Sequence, residues 1–175
     1  VHLLLDDPAM AATALTDFTI MLATDRHDGA PDPQEELRLG ARQSFPTAPA
    51  HGEVVMAVDG TFPGMGDPSF LHSLEVNVAG EGPVIAAAPI SWTLPSPYPD
   101  LKAVDHGVAT FAHGSTIVED GELTGYVPNP YDTVHMVARR FGITEVQLLW
   151  LNPWMLGQPT ELKYGVPINL AASRR

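Results

Sequence analysis

Along this chain the spacing of apolar residues changes period twice. In the first fifty residues Ala11, Leu15, Phe18 and Leu22 recur at the spacing of one helix face, behind an Asp7-Pro8 start that offers an N-cap followed by a helix-opening proline. This pattern predicts a helix over about 8–24. A polar, acidic stretch from Thr24 to Asp32 reads as a loop. Asp32-Pro33-Gln34-Glu35 then repeats the start signal, with Glu35 placed for a capping box, and predicts a shorter helix ending near Gln43. From His51 the period shortens. Glu53 to Val58 is apolar and β-branched, and Leu74, Val76 and Val78 alternate with Glu75 and Asn77 as in a half-buried strand. Gly60, Pro63, Gly64, Gly66 and Pro68 between them predict a loop. Val84 to Trp92 reads as a further strand. Asp120-Gly121 sits between Ser115–Val118 and Leu123–Val127 as the turn of a hairpin.

In the last fifty residues the helical period returns. Val134, Val137, Ala138 and Phe141 form one apolar stripe, capped by Asp132 or Thr133 at its start and by Gly142 in the left-handed position at its end. Thr144 and Gln147 are spaced as a capping box for a second helix, which Asn152-Pro153 terminates. Short strands around Tyr126-Val127 and from Val166 to Asn169 flank the pair.

Composition narrows the function classes. The 175 residues are 45% apolar and 17% charged, a globular composition with room for a core. A net charge of −12 with nine Lys and Arg disfavours nucleic acid or an anionic membrane as partner. No run approaches the roughly 20 apolar residues of a membrane-crossing helix. Without cysteine there is neither a disulfide framework nor a thiolate metal site. The chain opens at Val1, which leaves room for an upstream secretory signal, and its Ala, Pro and Gly content suits a bacterial source.

The C-terminal residues carry the specific signal. Asp132-Thr133, Val137-Ala138, Phe141-Gly142, Leu148, Leu151-Asn152-Pro153, Gly165 and Ile168 stand where the LysM family has its motif, and residues of about 124–170 resemble that family of peptidoglycan- and chitin-binding modules. The resemblance implies a βααβ module that binds N-acetylglucosamine-containing glycan, without catalysis or cofactor, in a shallow groove between two loops. Transferred by position, the ligand-binding residues are Asn129, Tyr131, Asp132, Thr133, Asn152, Pro153, Trp154, Met155, Leu156 and Gly157. Tyr131 stands where the family has glycine, which implies either a different loop shape or an added stacking face. Asp132 reads more readily as a helix cap than as a ligand contact, and Trp154 equally as ligand contact or packing. Trp150 falls at a variable position and is expected to pack on the preceding domain or meet a protein partner.

Other clusters are weaker. Asp105-His106 and His113 lack the spacing of a zinc site. Asp25, Asp28, Asp32, Glu35 and Glu36 lack the glycine and spacing of an EF-hand loop and read as a solvated, helix-capping cluster. Ser115 does not sit in a nucleophile elbow. The expected fold is therefore α+β, with a helical segment over 1–50, a β-rich region over 51–123 and a βααβ LysM-like module over 124–172. The expected function is non-catalytic anchoring at a bacterial cell wall, outside the cytoplasm. The alternatives are an assembly subunit of an envelope, phage-tail or injection-type complex, with residues 1–123 or Trp150 meeting a protein, and a cell-wall hydrolase.

Overall fold

A computed structural model describes residues 2–4, 18–28, 38–43, 53–55, 66–78, 83–157 and 162–175. The chain divides into two units. The first comprises 1–30, 36–60 and 71–92, and the second the remainder.

In the first unit β1 (His2–Leu4) pairs antiparallel with β4 (Glu53–Val55). A second antiparallel sheet has the order β3-β2-β5-β6, from β2 (Phe18–Ala23), β3 (Arg38–Gln43), β5 (Ser73–Val78) and β6 (Val84–Pro89). The two expected N-terminal helices are overturned here, because their described residues lie in β2 and β3. Phe18 and Leu22 fit the helical stripe, and together with Ile20 they fit a period of two equally well. Six consecutive pairs with β5, from Phe18–Val78 to Ala23–Ser73, decide in favour of the strand. The start signals at Asp7-Pro8 and Asp32-Pro33 lie outside the described residues, as does the loop of Gly60, Pro63 and Gly64.

β5 also departs from the expected half-buried strand. Its polar residues Ser73, Glu75 and Asn77 are 1%, 0% and 1% exposed, while the half-buried Leu74 and Val76 pair with the core residues Leu22 and Ile20, so both faces of the strand are covered.

The second unit contains a three-stranded antiparallel sheet, β7 (Ser115–Glu119), β8 (Glu122–Val127) and β9 (Ile168–Asn169). Between β8 and β9 come α1 (Val134–Arg140), α2 (Glu145–Leu151) and a 3-10 helix, Pro153–Gly157. The expected α+β class with a helical N-terminal segment and a C-terminal βααβ LysM-like module does not describe this molecule. Antiparallel sheet dominates, and the α-helices among the described residues are two, each of seven residues. The C-terminal sheet is anchored by the β7–β8 hairpin with five residue pairs, whereas β8 and β9 share two. Because so short a pairing cannot hold a sheet alone, β7 belongs to its framework.

Local chemistry explains these elements. Asp120 (φ 51) and Gly121 (φ 82) turn the hairpin in consecutive left-handed conformations, which match strand twist. Thr133 caps α1 by accepting from the Met136 N–H, and Gly142 (φ 67) ends it as the Ile143 N–H donates to the Ala138 carbonyl at 3.1 Å. Thr144 and Gln147 form a reciprocal capping box on α2. The helices close over Ala112, Tyr126, Val134, Val137, Ala138, Phe141, Leu148, Met155, Ile168 and Leu170, which form one buried apolar cluster. No described helix is long and apolar enough to cross a membrane.

Candidate functional site

The site implied by the sequence lies where β8 leaves the sheet and where α2 ends. Asp132 organises the first of these places from below. Its carboxylate accepts from the backbone N–H groups of His113 (2.7 Å), Gly114 (3.0 Å) and Asn129 (2.8 Å) and from the Tyr126 hydroxyl (2.5 Å). Burial by itself would raise this carboxyl's pKa, but the four donors outweigh it and hold the group below the usual range. The same burial, with the Asp132 charge beside it, pushes the Tyr126 phenol upward. Asp132 is thus only 8% exposed and sits beneath the loop surface.

Arg140 braces the other side of this network. It donates to Asp105 at 2.8 and 2.9 Å and to the carbonyls of Ala112 and Gly114, both at 2.9 Å. The Arg140 hydrogen bonds lower the Asp105 pKa. This ion pair occupies Asp105, the acidic member of the histidine pair considered from the sequence.

Above Asp132 the loop presents aromatic rings. Tyr131 is 86% exposed and holds φ 72, the left-handed backbone expected of glycine, so the residue keeps the glycine conformation and adds a ring. Phe111 is 50% exposed and holds φ 61; its carbonyl accepts the Thr133 N–H at 2.9 Å. Two strained, solvent-facing aromatic residues are therefore tied to one loop. Phe111 was not legible as a site residue, because it lies in a turn closed by Ala109 and Ala112 far from the motif. Asn129 and Thr133 are exposed beside them.

At the second place, Asn152 is fully buried and clamps α2 to β9. Its amide nitrogen donates to the Leu148 and Asn169 carbonyls, both at 2.9 Å, and its oxygen accepts the Asn169 N–H at 2.7 Å. Pro153 is buried, Met155 is 1% exposed within the core, and Leu156 and Gly157 complete the 3-10 helix. Trp154 is half-buried, with the Lys163 ammonium 5.7 Å from its ring centroid and an indole N–H that has no partner among the described residues. The segment carrying Lys163 reaches the first loop, since the Gly165 N–H donates to the Pro128 carbonyl at 3.2 Å. Tyr164, 69% exposed, lies between them in sequence.

Trp150 is 4% exposed and is covered by its own unit. The Arg175 guanidinium lies 4.4 Å from its centroid, Tyr98 meets it edge-on at 5.3 Å, and its indole donates to Asp67 at 3.0 Å. Burial lowers the Arg175 pKa to about 10, with Asp67 opposing the shift. No family model matches the chain, and neither the curated proteins nor the solved structures yield a match.

Proposed function

We propose that the chain binds an N-acetylglucosamine-containing glycan such as peptidoglycan, through the exposed aromatic loops of its C-terminal unit, and so holds itself at a bacterial cell wall. The reading rests on the resemblance of the motif residues to LysM proteins. The observation that carries it furthest is Tyr131, a large ring kept in solvent on a backbone that costs about 1–2 kcal/mol to hold. Aromatic faces stack on the apolar faces of sugar rings, and loop amides match the donor and acceptor of an N-acetyl group. Tyr131, Phe111 and Trp154 supply the faces, while Asn129 and Thr133 supply polar edges. Asp132, Asn152 and Met155 hold the loops from beneath.

The test is co-sedimentation of the intact chain with insoluble peptidoglycan, beside Tyr131→Ala and Trp154→Ala. Retention of the wild type and loss in the variants support the proposal; no retention of the wild type defeats it. The assembly role is favoured by one observation, the edge strand β6, where Ile85 is 52% exposed and the strand pairs only through β5 among the described residues.

A further inference from the structure

The buried polar row on β5 has a focus at Glu75. Ser73, Glu75 and Asn77 share one face of the strand and are all buried, and the register places Glu75 opposite Met21 on β2 and Ala87 on β6. A carboxylate with no solvent exposure at the centre of a sheet is costly unless positive charge meets it. His27, on the loop after β2, turns its Nε2 to within 2.7 Å of Glu75 Oε1 and its Nδ1 to within 3.6 Å of Asp25 Oδ2. One donor atom from each of Asp25, His27 and Glu75 lies within 4.8 Å of the others, a spread that side-chain adjustment of the more exposed Asp25 and His27 closes around a single ion.

A second observation concerns the neighbours of Glu75 on β5. Ser73 Oγ and Asn77 Oδ1 are buried, flank Glu75 on its own face of β5, and have no hydrogen-bond partner among the described residues. Unpartnered oxygens in an interior mark a position made for water or an ion.

We propose that Asp25, His27 and Glu75 bind a divalent transition-metal ion of the zinc type. One imidazole nitrogen with two carboxylates suits such an ion, whereas calcium and magnesium favour all-oxygen shells. Three protein ligands leave a fourth position for water, reached from the solvent side past His27. The sequence hides this site because Asp25 and His27 are separated from Glu75 by about fifty positions and meet it only through β2–β5 pairing. The site lies in the first unit and stands independently of the glycan reading.

Titration of the full chain with zinc chloride near neutral pH, followed by calorimetry, tests it. One equivalent should bind, with affinity reduced at least about tenfold in His27→Ala and Asp25→Asn. His135→Ala is the control, because His135 and Glu145 form an exposed pair at 2.7 Å that offers zinc only two ligands. Since Asp25 and His27 lie at the surface, circular dichroism of both variants should match the wild type, and zinc should raise the unfolding temperature of the wild type and of His135→Ala but not of the two site variants. Absence of the one-equivalent event, its persistence in folded His27→Ala, or its loss in His135→Ala would overturn the assignment.

Discussion

At Tyr131 a residue with a Cβ occupies φ 72, a conformation that glycine takes without strain. Tyr131→Gly should therefore stabilise the fold by about 0.5–1 kcal/mol, measured by urea unfolding, while weakening peptidoglycan retention. Unchanged retention would remove the ring from the contact surface. Asp132 makes the opposite kind of claim. Because its folded pKa is depressed, the stability it contributes is present above the unfolded value near 4 and is lost as pH falls through the lower folded value. Asp132→Asn should thus flatten the acid limb of stability below about pH 4 and cost about 2–3 kcal/mol at pH 7, read from urea midpoints across that range. The sequence offered Asp132 or Thr133 as the cap of α1, and Thr133 takes that role. The four donors to Asp132 were not legible, since His113 and Gly114 precede it by some twenty positions and reach it only when β7 pairs with β8.

Between elements, close approach sets the tolerances. A Cβ on Gly114 would stand 2.1 Å from the Val127 carbonyl oxygen and 2.7 Å from Tyr126 Cζ, both parts of β8. Gly114→Ala should cost about 3 kcal/mol or more, whereas Gly107→Ala, with nothing within 4 Å and only its φ of +94 to strain, should cost about 1–2 kcal/mol. Equal losses in thermal denaturation would contradict the packing account. The Asn152 clamp predicts that Asn152→Ala speeds amide exchange in β9 and α2 ahead of the β7–β8 hairpin. Capping pairs, the Gly142 stop and the Asp120-Gly121 turn were readable because each depends on residues a few positions apart. β2 was not, because Phe18 to Leu22 supports two periods, and only pairing with a distant strand chooses between them. The burial of the polar face of β5 failed for the same reason: alternation gives two faces, and the partners decide how far each is buried.

Across the whole molecule the two units pose separate questions. The first holds a buried carboxylate answered by a histidine, and the second holds exposed rings on braced loops. The net charge of −12 disfavours polyanions as partners, and the loop residues proposed to meet a neutral glycan were legible only through a family resemblance. Trp150 shows what resemblance left open, for Tyr98, Asp67 and Arg175 of the same unit cover it. The decisive measurement is a two-dimensional nitrogen–proton NMR titration of the full chain with a soluble N-acetylglucosamine tetramer. Saturable shifts at the amides of Asn129, Tyr131 and Thr133 and at the Trp154 indole, with the Trp150 indole and the strands of the first unit unmoved, are the predicted result. A spectrum that stays unchanged, or shifts that fall only on the first unit, would contradict it.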